Sequence, residues 1–168
     1  MNRRQFHTSL AALGLMPTAW REARAASGVA ALVGSTLEGQ PYDLRADAGK
    51  VVLVFFWRTD CAVCRDKMPE LRLNYAAWRD KGFQLVAVNT DKVLAGVHDY
   101  QVILDRTVSA GQRFPSLWRG DSAHRDSFGA IAHAPTSFVL DRKHSVVREI
   151  DGRIPPGLWD DIAELVLT

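Results

Sequence analysis

The chain has 168 residues, 47% of them hydrophobic, and a formal charge of +2, enough for one domain with a real core. Arg3, Arg4, Arg21 and Arg24 against Glu22 alone load the first 25 residues, so the remainder is near neutral. That excludes a basic stripe for nucleic acid and an acidic tail, and a count of two cysteines excludes a disulfide-stapled scaffold.

In chain order, Arg3-Arg4 precede a mildly apolar stretch, Leu10 to Trp20, and then the small residues Ala23-Arg24-Ala25-Ala26. This layout predicts an export signal over residues 1–26, cleaved near Ala25–Ala26. The stretch is too short to cross about 30 Å of hydrocarbon, and Arg-Arg-x-Phe resembles a twin-arginine leader. Residues 27–168 then read as one domain, placed outside the cytoplasm, in the periplasm. Gln40 to Leu44 suggests an edge hairpin. Val51–Trp57 has no alternation and predicts a strand buried on both faces. After a polar turn, Arg58-Thr59-Asp60, a helix is predicted from Ala62 to Lys81, stopped by Gly82 and interrupted by Pro69. Phe83–Asn89 predicts a second strand, parallel to the first through a right-handed crossover.

Further on, a loop spans Thr90 to Gly96, and a helix is expected from His98 to Arg113, packing through Tyr100, Val102, Ile103, Leu104, Val108 and Ala110. Phe114 to Trp118 reads as extended, and Ser122 to Phe128 as a short helix ending near Gly129. Strands follow at Thr136–Leu140 and Val146–Ile150, joined by a turn at Asp141 to His144. A closing helix, Leu158 to Leu167, has Leu158, Ile162, Leu165 and Val166 on one face. The expected class is α/β, a mixed central sheet with helices on both faces.

Cys61-Ala62-Val63-Cys64 stands at the strand-to-helix turn. A thiolate is the attacking species in disulfide exchange, and the unpaired N–H groups and dipole of a helix start favour that anion. Cys61 is the expected nucleophile. Cys64, one turn on and facing inward, is the expected resolving thiol. Arg65 and Lys67 add positive charge nearby, although Asp60, Asp66 and Lys67 also fit solvated charges at a helix start. Structural zinc needs four ligands, and His98, His124, His133 and His144 lack the spacing to complete such a site. A four-residue loop closes little chain entropy, so a purely stabilising link is a weak alternative. Pro135, at the first position of a buried strand, cannot donate to a ladder and marks a special turn, a cis bond being one form.

Phe56-Trp57 ahead of Cys61 and Cys64, Met68-Pro69, Val86-Ala87-Val88-Asn89, Phe114-Pro115, and Pro135-Thr136-Ser137-Phe138-Val139-Leu140-Asp141 together resemble the thioredoxin superfamily, in its exported TlpA/ResA/CcmG-like branch. The resemblance covers roughly Val29 to Val166. It implies a thioredoxin fold, a cis Pro135 beside the cysteines, and exchange with protein disulfide or dithiol substrates without a bound cofactor. It further implies a substrate segment pairing with the backbone of Ala134, a membrane electron donor, and reduction of partners such as cytochrome c apoproteins. Four positions depart from the branch. Asp60 replaces an aromatic residue, Lys67 a glutamate, Phe55 the buried aspartate of thioredoxin, and His144 a turn glycine. Trp57, Asp60 and Lys67 are therefore candidate tuning residues, and Asp60 should work against the Cys61 thiolate. Trp57, Trp78, Trp118 and Tyr100 otherwise read as core or groove wall. Three alternatives stay open: a thiol oxidase, a copper chaperone with His133 as third ligand, and a redox-inactive interaction module.

Overall fold

The structure, a computed structural model, describes residues 28–168; the expected export signal lies outside the described residues. Among the described residues eight strands occur in order: β1 (Leu32–Ser35), β2 (Pro41–Asp43), β3 (Val51–Trp57), β4 (Phe83–Asn89), β5 (Ser116–Trp118), β6 (Arg125–Asp126), β7 (Thr136–Leu140) and β8 (Val146–Asp151). Three α-helices accompany them, α1 (Ala62–Trp78), α2 (Leu94–Thr107) and α3 (Leu158–Leu167). The main sheet has the order β5-β4-β3-β7-β8. β3 and β4 are parallel, in register from Val51 opposite Phe83 to Trp57 opposite Asn89, as the crossover through α1 requires. β7 pairs antiparallel with β3 and with β8, so the sheet is mixed.

Every residue of β3 is buried, and its alternation divides them between two cores. Val51, Leu53, Phe55 and Trp57 face Cys64, Met68, Leu71 and Tyr75 of α1 and Leu158, Ile162 and Val166 of α3. Val52, Val54 and Phe56 face Leu32, Leu44 and Leu117. That second face lies under a small antiparallel sheet, β2-β1-β6, and a 3₁₀ turn at Leu44–Asp47. Phe55, where thioredoxin has a buried aspartate, is apolar core with no exposure.

Most expected elements form close to their expected ends. α1 passes into a 3₁₀ turn at Arg79–Lys81 and stops at Gly82, whose φ of 88° suits only glycine at low cost. Two expectations are corrected. The helix placed at His98–Arg113 begins at Leu94 and ends at Thr107. Its inward face is therefore Val97, Tyr100, Gln101 and Leu104, while Val102 and Ile103, expected to pack, are exposed; Ala110 is exposed too. The short helix at Ser122–Phe128 does not form. Asp121 Oδ1 accepts from Ala123 N at 2.7 Å and its carbonyl from His124 N at 3.0 Å, a local turn that competes with a helix. The chain then enters β6, which pairs with β1. At the Asp141 turn, His144 takes φ 60° in place of glycine. It is buried, and its Nε2–H donates to the Asp47 carbonyl at 3.1 Å, so a side-chain bond accompanies the left-handed backbone.

Candidate functional site

The site lies where β3 ends and α1 starts, at the carboxyl ends of the parallel strands. Cys61 is the N-cap of α1 with extended backbone, and its Sγ accepts from the Cys64 backbone N–H at 3.0 Å. One orphan donor of the helix start is thus aimed at the sulfur. Cys61 and Cys64 are joined as a disulfide with Cα atoms 5.2 Å apart. Cys64 is fully buried and Cys61 half-buried, so of the two sulfurs that of Cys61 is the more accessible.

The Ala134–Pro135 peptide is cis. It brings the Ala134 carbonyl oxygen to 3.5 Å from Cys61 Sγ. Pro135 is buried, and its carbonyl accepts from Gly152 N at 2.8 Å. Thr136 Oγ1 donates to the His133 carbonyl at 2.9 Å, which fixes the turn from the other side. Residues 73 positions apart in sequence therefore meet at one sulfur. His133 is exposed. Among the described residues, no group of three or more His, Cys, Asp or Glu side chains is arranged to hold a metal ion.

The candidate tuning residues fall in three different settings. Trp57 is 2% exposed and packs against Tyr100 with ring centroids 4.9 Å apart and planes tilted by 55°; its Nε1–H has no partner among the described residues. Asp60 is solvated, 65% exposed, and paired with Arg58 at 2.5 Å. Lys67 is not a solvated helix-start charge. Its side chain is 9% exposed and its Nζ lies 2.8 Å from Glu70 Oε2, while Trp159 Nε1–H donates to Glu70 Oε1. Burial pushes the Glu70 carboxyl up, but the bonds from Lys67 and Trp159 outweigh it and hold the group below its ordinary value.

Sequence reasoning did not single out Glu70, Trp159, Thr59 or Asp91. Glu70 follows Lys67 by three residues, a helical-neighbour spacing that could have flagged it. Asp91 follows the end of β4, on the edge where parallel sheets place their sites. Its carboxylate accepts from Thr59 N at 3.1 Å and from Thr59 Oγ1 at 2.5 Å. Arg65 Nη1 donates to the Thr59 carbonyl, and Asp66 pairs with Arg153 at 2.6 Å.

A cysteine pair capping a helix, set against the carbonyl before a cis proline on a β5-β4-β3-β7-β8 sheet, defines a thioredoxin-fold protein. The chain belongs to the AhpC/TSA family, whose profile matches residues 26–149. It is 29% identical over 120 residues to the thiol-disulfide oxidoreductase ResA of Bacillus thuringiensis, which spans 71% of this chain and 65% of that protein. The ResA of Halalkalibacterium halodurans is 28% identical over 144 residues, 86% of this chain and 78% of that one. Among solved structures, a thiol:disulfide interchange protein of the thioredoxin family from Chlorobium tepidum superposes with TM-score 0.66 at 25% identity, over 87% of this chain and 99% of that chain. The match to the first of these relatives thus takes in just under two thirds of its length.

Proposed function

We propose that the chain is an exported thiol–disulfide oxidoreductase that reduces disulfides of partner proteins. The observation that carries this reading is the Cys61–Cys64 disulfide at the start of α1, with Cys61 Sγ 3.5 Å from the Ala134 carbonyl. In the dithiol form, the Cys61 thiolate attacks one sulfur of a partner disulfide, and the other partner sulfur leaves as a thiolate. Cys64, as thiolate, then attacks Cys61 Sγ, the second partner sulfur leaves, and the chain is oxidised by the two electrons the partner gains. The backbone at Ala134 pairs with the extended partner segment, and Pro135 has no N–H to compete for it. Only the two sulfurs carry electrons, so the exchange needs no bound cofactor. A membrane donor regenerates the dithiol, and apocytochrome c is one class of partner whose cysteines need reduction.

Two measurements test this. Cys64→Ser should accumulate mixed disulfides through Cys61 in the exported compartment, identifiable by mass spectrometry after removal of free thiols; no adduct in Cys64→Ser means that the cysteines do not exchange with proteins. Equilibration with glutathione then fixes direction, and a potential well above about −200 mV assigns the oxidant role instead. Intact mass of the exported chain should place its first residue just after Ala25 or Ala26. Copper retained by the reduced chain in equal amount, and lost in Cys61→Ser, would assign the copper chaperone.

A further inference from the structure

The end of β3 is tied to the end of β4 by more than strand pairing. Thr90 N and Oγ1 donate to the Trp57 carbonyl at 2.8 and 3.2 Å. One residue further on, Asp91 takes both donors of Thr59, its N–H at 3.1 Å to Oδ1 and 3.3 Å to Oδ2, and its hydroxyl at 2.5 Å to Oδ2. Asp91 is itself pinned from behind. Its N–H donates to Asn89 Oδ1 at 2.8 Å, and its carbonyl accepts from Trp118 Nε1 at 2.8 Å. Asn89 is fully buried, so the anchor is fixed to the rigid end of β4 and to β5. Thr59 is in turn the middle of the turn that delivers Cys61, whose N–H donates to the Arg58 carbonyl at 3.3 Å.

We infer that Asp91 is a positioning residue for the nucleophile, acting through Thr59 to hold Cys61 in reach of Cys64; the inference rests on the exchange reading above. Cys64 lies within the first turn of α1 and its side chain is fully buried, which fixes its position. Cys61 is the N-cap, held on one side by the Arg65 N–H on its carbonyl at 3.1 Å, and on the other side its placement depends on the turn before it. In the dithiol form no covalent bond links the two sulfurs, and how often they meet depends on how firmly that turn is held. Disulfide formation is an intramolecular step whose equilibrium follows this effective concentration. Loosening the turn lowers it and makes the disulfide easier to reduce.

The test is equilibration of the purified protein with glutathione. Two Cys thiols lose their protons and form one S–S bond, while oxidised glutathione is reduced to two thiols. Asp91→Ala should lower the equilibrium constant for forming Cys61–Cys64 about tenfold, a rise of about 30 mV in potential. Asp91→Asn keeps an acceptor for Thr59 without the charge, and Thr59→Ser keeps both donors; each should stay within threefold of the parent. Thr59→Val, which keeps only the backbone donor, should fall between, and serves if Asp91→Ala does not fold. Parent-like equilibria for Asp91→Ala, or for Thr59→Val in its place, overturn the inference. So does an Asp91→Asn shift as large as that of Asp91→Ala, since Asp91 would then act by its charge and not as an anchor. A parent that never equilibrates with glutathione overturns the exchange reading itself, a result distinct from either.

Discussion

Lys67 and Glu70 form one ion pair whose two halves should differ sharply in what they contribute. The Lys67 side chain is 9% exposed and that of Glu70 is 42% exposed, at 2.8 Å. Glu70→Ala strands a nearly buried ammonium, and it also strips the Trp159 N–H of its acceptor. Breaking a fully buried pair costs about 3–5 kcal/mol, and the exposure of Glu70 brings this down to about 2 kcal/mol. At roughly 3 °C per kcal/mol for a domain of this size, the melting temperature of the oxidised protein should fall by about 6 °C. Lys67→Met removes the charge and keeps the volume. Glu70 still holds Trp159 and reaches water, so the expected loss is under about 1 kcal/mol, since an apolar isostere of a buried ion is often near neutral. The double variant should recover more than half of the Glu70→Ala loss, because the stranded charge is gone. Thermal unfolding of the four proteins in the oxidised state completes the cycle. Equal losses for the two single variants, or additive losses in the double, would refute the assignment of burial to Lys67.

Three further outcomes follow from other contacts. Burial pushes the Asp126 carboxyl up, but bonds from His124 and from Arg119, together with the Arg119 charge, overcome it and hold the group at about 2. A carboxyl lower in the folded than in the unfolded chain stabilises fully above the unfolded value, and that support is lost as pH falls through about 2. On the order of 2 kcal/mol should disappear between about pH 4 and pH 2, so the melting gap between parent and Asp126→Asn should narrow over that range; parallel curves would contradict it. Gly120→Ala would place a Cβ 2.3 Å from Trp118 Cζ2, displacing the indole that donates to the Asp91 carbonyl, and should lower the melting temperature by several degrees at about 1–3 kcal/mol of overpacking; unchanged melting would show that Trp118 yields freely. Asp60→Asn should move the pH midpoint of Cys61 alkylation by less than about half a unit, because an exposed pair such as Arg58–Asp60 contributes little; a shift of a full unit would restore Asp60 as a tuning group.

What could be read from the sequence is what is encoded locally. The unbroken apolar run of β3, the Gly82 stop, the cysteine spacing and the amphipathic face of α3 each depend on residues within a turn or strand, and each formed where expected. The start of α2 is not announced locally, because its N-cap residue is Val93, whose side chain cannot cap. Ser122 to Phe128 carry helix-like spacing, and nothing local shows that Arg125 and Asp126 pair with Val33 and Leu32 of β1. The site divided along the same line. Cys61, Cys64 and Pro135 are recognisable by type and order, whereas Glu70, the partner of Lys67, is held by Trp159 from 89 residues away. Asp91 bonds Thr59 across 32 residues, a partnership that exists only once β3 and β4 are paired.

The structure also moves the question of direction from the outer cysteine to the inner one. Asp60 looked in sequence like a charge opposing the Cys61 thiolate, yet it is 65% exposed and paired with Arg58, while the Cys64 N–H points at the sulfur from 3.0 Å. The direct donor acts at contact and the carboxylate across water, so the helix start prevails. Cys64 is different, because it is buried and has Lys67 one turn along, on the same helix face. A lone carboxylate there would oppose ionisation of the inner thiol, whereas the Lys67–Glu70 pair presents almost no net charge. Lys67→Gln leaves Glu70 uncompensated, so the Cys64 thiolate, and with it the reduced form, loses stability. The disulfide then becomes harder to reduce once that thiol ionises, and the potential at pH 9 should fall by up to about 15 mV. The gap should be larger at pH 9 than at pH 7, because the charge matters only once the inner thiol ionises. A gap independent of pH would place the influence of Lys67 in packing and not in charge.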